Sequence, residues 1–200
     1  GHFLPHLLPV DPTLHWANPP GGTGGRDTRP TFTSTPGRYT GPVPMVTHVH
    51  GSAGVNDDSD GYAEAWYLPA AGNIPAGYAR AGTWYDFFKG RAAANYGEAW
   101  GPGFATFQYP NSQRASTIWY HDHALGMTRL NVYAGPAGFY IVRGGPAGDD
   151  TVDGLRVRRF PVQRPRSEHR FAMIQDLVFH EEHTLEEERQ WVVENGPVCP

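Results

Sequence analysis

Two histidine pairs with a spacing of two, each closing a run of β-branched or aromatic residues, constrain this chain more than any other feature. They are PMVTHVHG at Pro44 to Gly51 and ASTIWYHDH at Ala115 to His123. In an extended strand successive side chains alternate between faces, and residues i and i+2 stand roughly 6–7 Å apart on one face. The first run therefore sets Thr47 and Val49 on one face and His48 and His50 on the other. The second sets Ile118 and Tyr120 against Trp119, His121 and His123. Each run ends by presenting two imidazoles in a common direction.

The sequence around these runs is strongly punctuated, with 25 Gly and 19 Pro, yet aromatic residues make up 13% of it. That aromatic content argues against disorder and for loop-rich β structure. Gly1 to Tyr39 carries LPVDP, ANPPGGTGG and a Thr/Pro-rich stretch, which predict irregular backbone with short strands. From Ser52 to Gly103 the chain is polar, aromatic and Gly-rich, with one brief helix expected near Tyr85 to Ala94. Connections this long are uncommon unless they do something. Trp66, Tyr67, Trp84, Tyr85, Phe87, Phe88, Tyr96 and Trp100 read as a loop packing its own side chains. Ala124 to Gly135 predicts a helical turn and Ala137 to Gly144 another strand. GGPAGDDTVDG and RVRRFPVQRPR read as a linker, Arg170 to Phe179 as a new strand, and EEHTLEEERQWVVENG as a charged surface segment.

Several function classes are disfavoured. With 16 basic against 20 acidic residues and a net charge of −4, there is no positive excess to release counterions from a nucleic-acid backbone. Apolar stretches fall well short of the ~20 consecutive residues that a membrane-spanning helix requires, so neither nucleic acid nor membrane is an expected partner. The single cysteine, Cys199, excludes an intramolecular disulfide and a Cys-rich zinc module, and its PVCP context reads as an ordinary thiol. Metal chemistry must rest on histidine and carboxylate.

One His-x-His pair is weak evidence for a metal, because most are surface or packing residues. Two pairs at the ends of neighbouring strands would converge four neutral imidazoles on one small volume. Leaving their ring nitrogens buried and unpartnered would cost on the order of 1–3 kcal/mol each, so metal binding by His48, His50, His121 and His123 is the favoured reading. An all-imidazole set without thiolate or paired carboxylate suits copper or zinc rather than magnesium or calcium. His180 and His183 lie beside EEHTLEEER and read as a solvated face. His2, His6, His15 and His169 receive no ligand role.

THVHG, then DDSDGYAEAW, then FQYPNSQRASTIWYHDHALGMTRLNVYAGPAGFYIV closely resemble the multicopper oxidases of the bacterial spore-coat laccase and bilirubin oxidase group. LPVDPTLHWANPP and PGRYTGPVP also look like that family's first domain, so the resemblance spans roughly Leu8 to Val142. It implies an all-β fold: an incomplete cupredoxin-like Greek-key β-sandwich with long irregular loops. Residues 1–145 would be most of the first cupredoxin domain, without its N-terminal strands, 146–167 a linker, and 168–200 the start of the second.

The resemblance further implies copper of types 2 and 3. His48 would ligate the type 2 ion and His50, His121 and His123 the type 3 pair, half of the eight histidines that such a cluster uses. O2 and a small aromatic reductant would be the reaction partners. Asp60, in SDG, matches an acidic residue beside the cluster in similar enzymes, where a carboxylate could relay protons; a turn aspartate before glycine is its ordinary reading. The family's other two histidine pairs and its His-Cys-His stretch are not in these residues. The expectation is thus a chain inactive as an oxidase by itself, completed by cupredoxin domains from the same precursor or another chain. Resemblance alone favours an extracellular, cell-envelope or spore-coat location. The rival reading is a non-catalytic copper- or zinc-binding cupredoxin-like module.

Overall fold

One antiparallel sheet brings both histidine pairs together. In the computed structural model, which describes residues 1–142 except 98, 114 and 115, together with the backbone of 151–152 and 155–156, the sheet consists of β1 (Thr47–His50), β2 (Ser116–Asp122) and β3 (Ala137–Val142), in that order. β1 pairs with β2 in the register Thr47↔Asp122, His48↔His121, Val49↔Tyr120 and His50↔Trp119. Directly opposed residues share a face, so the histidine faces of the two runs coincide. On the reverse face Val49 is buried. β3 continues the sheet with Trp119↔Phe139 and His121↔Ala137.

β1 is shorter than the run that predicts it, and β2 stops at Asp122, one residue before His123. Pro44 has no N–H to give a ladder, and the N–H of Val46 goes to the Asp122 carboxylate, 3.0 Å away. At the other end the chain turns back at once, with the Ser52 N–H donating to Val49 O at 3.2 Å. Beyond β2 the His123 N–H donates to Val46 O at 2.8 Å, which keeps His123 beside the foot of β1.

Among the described residues helices are few, and most are short. α1 (Gly22–Gly25) is a single turn that the Gly-rich sequence did not predict. Asn18, with its backbone in the left-handed region, holds that turn from outside by donating its side-chain amide to Gly25 O at 2.7 Å. α2 (Tyr85–Tyr96) is the helix expected near Tyr85 to Ala94. It buries Tyr85, Phe88 and Ala92, a stripe at helical spacing, and ends where Gly97 adopts φ +71° and donates to Ala93 O. α3 (Thr128–Ala134) follows the second histidine pair. Backbone pairing also joins β4 (Thr151–Val152) to β5 (Leu155–Arg156), inside the expected linker. The expected strand at 170–179, the charged segment after it and Cys199 lie outside the described residues.

The two core clusters are drawn from segments outside the three strands. Trp16, Tyr39, Val46, Trp66, Leu68 and Met127 pack with Val10, Ile74 and several alanines. A second cluster of Ala65, Tyr85, Phe88, Ala92 and Trp100 is the long aromatic connection packing on itself. Two segments of backbone pin the turn after His123: Ala17 N–H donates to Leu125 O at 2.9 Å, and Leu125 N–H to Ala63 O at 3.1 Å. Among the described residues no helix is long and apolar enough to cross a membrane. The expectation of an all-β chain with long irregular loops holds, the sheet being open and antiparallel.

Candidate metal centre

The pairing of β1 with β2 turns two local patterns into one cluster. One ring nitrogen from each of His48, His50 and His121 lies within 4.8 Å of the other two. His123 joins them from just past the end of β2, its ring centroid 5.0 Å from His48 and 5.8 Å from His121. His121 is buried, His48 and His123 half-buried, and His50 exposed. All four predicted histidines therefore meet, with the tightest set formed by three of them. His6 and His15 do not join: His6 bonds Leu8 and Asn131, and His15 bonds Asp27 O.

Hydrogen bonds choose which nitrogen each ring presents. His48 Nδ1 lies 2.6 Å from Asp60 O and His121 Nδ1 lies 2.7 Å from Asp122 O. A backbone carbonyl only accepts, so each Nδ1 carries the proton and each Nε2 keeps a free lone pair. His123 Nδ1 is buried without a well-formed hydrogen bond, although the Gly61 backbone lies near enough to favour its charged form. Burial, reinforced by the other imidazoles, pushes His121 and His123 below the usual histidine range. Two rings with Nε2 left free and a third with an orphaned buried nitrogen suit a borderline-soft divalent or monovalent metal. The donor set fits copper, and it fits zinc.

Comparison with known proteins agrees with this chemistry. No family model matches the chain. It is 39% identical over 141 residues to a laccase of Bacillus stratosphericus, covering 70% of this chain and 19% of that protein. It is 35% identical over 139 residues to a laccase of Bacillus subtilis (strain 168), covering 68% and 18%, and 32% identical over 139 residues to the multicopper oxidase LPR1 of Arabidopsis thaliana, covering 69% and 16%. The chain belongs to the multicopper oxidase family. This multicopper oxidase chain spans about a fifth of the length of the curated relatives it matches. Its open antiparallel sheet is the family's cupredoxin-like all-β fold in part.

Asp60 touches the centre in an unexpected way. Its backbone carbonyl makes the short contact with His48, while its carboxylate, 56% exposed, lies 3.3 Å from the same nitrogen. The backbone orients the ring; the side chain faces solvent beside it.

Residues that sequence reasoning passed over brace this multicopper oxidase site from behind. Asp122, between the two histidines of His-x-His, points to the opposite face and is buried. It accepts the N–H groups of Val46 and Ala124, each at 3.0 Å. Burial nevertheless pushes its carboxyl up to about 6, against the pull of those donors. Asn131 of α3, also buried, donates to Pro44 O at 3.0 Å and so ties the helix to the approach of β1. Strand alternation alone places Asp122 inward, and that signal was available. Asn131 had none, because its partner lies far away in sequence.

Proposed function

We propose that this chain supplies half of the ligand set of a trinuclear copper cluster in a laccase-like oxidase. The complete protein would remove single electrons from phenolic or related aromatic compounds and reduce O2, with four electrons and four protons, to water. The observation that carries the reading is the convergence of His48, His50 and His121 within 4.8 Å, with His123 alongside.

His48 and His121 would bind through Nε2, and His50 and His123 would complete this side of the cluster. Bound copper would supply one-electron redox chemistry that no side chain offers. The protein's own part is to gather and aim four imidazoles, with Asp60 and Asp122 fixing two of them through backbone carbonyls. The Asp60 carboxylate, exposed beside His48, would pass protons between solvent and the site. Residues 1–145 act in this proposal as most of a first cupredoxin domain and 168–200 as the start of a second. The remaining histidines come from the same precursor or another chain.

Copper content and phenol oxidation of the 200-residue chain test the reading. Copper uptake that is lost on His48→Ala plus His121→Ala substitution, without oxidase turnover, is the expected result. Full cluster occupancy with turnover by these residues alone would overturn the half-site, and an intact native mass of 22.0 kDa would overturn the longer precursor. Three ligand nitrogens within 4.8 Å also suit one ion, so a second reading is a non-catalytic copper or zinc module. One zinc bound per chain in preference to copper would favour it.

A further inference from the structure

We propose that Trp119 is a positioning residue of the metal centre, its indole setting the ring planes of His50 and His121. This inference rests on the copper-binding reading above. The register of the sheet places Trp119 directly opposite His50, and strand alternation places it on the same face as His121. Its ring is stacked on His50, with centroids 5.5 Å apart and planes at 25°, and lies 4.3 Å from His121 at 34°. It is a flat wall along one side of both imidazoles.

The two rings depend on that wall unequally. His121 is buried and its Nδ1 is bonded to Asp122 O at 2.7 Å. His50 is exposed at the last position of β1, and among the described residues no hydrogen bond holds its ring. What surrounds it is aromatic: Trp119, and His48 and His121 at 5.7 Å each. An exposed imidazole on a strand end otherwise samples several rotamers, and ordering it at metal binding costs conformational entropy. A large planar neighbour removes that freedom beforehand. A smaller aliphatic side chain would fill the space without restraining the ring plane.

The test compares the 200-residue chain with Trp119→Phe and Trp119→Leu, using copper(II) alone as the probe. Trp119→Leu is expected to weaken copper(II) binding roughly tenfold, the lower end of what loss of a ligand-orienting neighbour costs, and to alter the hyperfine pattern of the paramagnetic resonance spectrum. Trp119→Phe, which keeps a flat ring, should restore most of the affinity and the parent pattern. In the metal-free chain the His50 and His121 ring protons should resonate upfield under the indole and move back in Trp119→Leu. A parent chain that takes up no copper(II) overturns the copper reading and this role with it. A parent chain that binds copper(II), with Trp119→Leu matching it in affinity and spectrum, overturns the positioning role alone. Should Trp119→Leu fail to fold, parent imidazole protons without an upfield shift would overturn the role by themselves.

Discussion

Replacing Gly61 with alanine should damage both the fold and the metal centre, by an amount that the backbone geometry sets. Gly61 has φ +76°, and a Cβ there would lie 2.2 Å from Thr47 O, 2.7 Å from Thr47 C and 3.0 Å from His48 Cα. Ordinary contacts are about 3.5 Å, so β1 would have to retreat by about 1 Å at the residue that presents the first imidazole. The left-handed backbone costs an alanine about 1–2 kcal/mol, and overpacking against a fixed strand adds about 1–3 kcal/mol. The sum is about 2–5 kcal/mol. Gly97 is the control: φ is +71° and nothing lies within 4 Å of its Cβ position, so Gly97→Ala should cost only the backbone part. Urea unfolding of both variants, metal-free at pH 7, measures the difference, and a copper(II) titration should show affinity lost in Gly61→Ala and kept in Gly97→Ala. If Gly61→Ala proves no more destabilising than Gly97→Ala, the close approach of this turn to β1 does not hold His48 in place and the argument fails.

Other outcomes follow from individual side-chain contacts. Asn131→Ala leaves Pro44 O without its 3.0 Å donor and should cost about 1–3 kcal/mol in urea unfolding. Asp27 accepts the Trp66 indole N–H at 2.5 Å and the Thr83 N–H at 2.7 Å; Asp27→Ala should cost about 2–4 kcal/mol, with near-ultraviolet circular dichroism reporting the loosened indole. Two opposing contributions set the pH dependence: Asp122, whose carboxyl burial pushes up to about 6, gains stability as pH falls through that value, while burial holds His121 and His123 below the ordinary value of 6.5. Unfolded, these rings take up protons more readily than folded, so their contribution to stability is intact above about 6.5 and declines as pH falls below it. His123→Gln should flatten that decline between pH 7 and pH 5, and an unchanged slope would show that His123 is not the group responsible.

Local chemistry settled the faces of the two strands, the helix after Trp84 and the identity of the four imidazoles. A period of two needs only strand backbone, which is why His48 and His50, and Trp119, His121 and His123, were legible one run at a time. The stripe Tyr85, Phe88 and Ala92 and the glycine after Tyr96 similarly need only 3.6 residues per turn and a left-handed stop. Gly22–Gly25 was not legible, because its turn depends on the Asn18 amide rather than on its own residues. β1 begins later than its run because the Val46 donor is claimed by the Asp122 carboxylate.

Tertiary structure alone decided that the two histidine faces coincide. The pairing His48↔His121 joins residues far apart in the chain, and a slip of one residue would send one pair to the opposite face. That register is held by contacts between distant segments: Asp122 to Val46, Asn131 to Pro44, Gly61 against Thr47, and Leu125 between Ala17 and Ala63. Sequence patterns report what each residue prefers beside its neighbours in the chain. Convergence of the four imidazoles depends on which strands become neighbours in space, and that is a property of the tertiary packing as a whole.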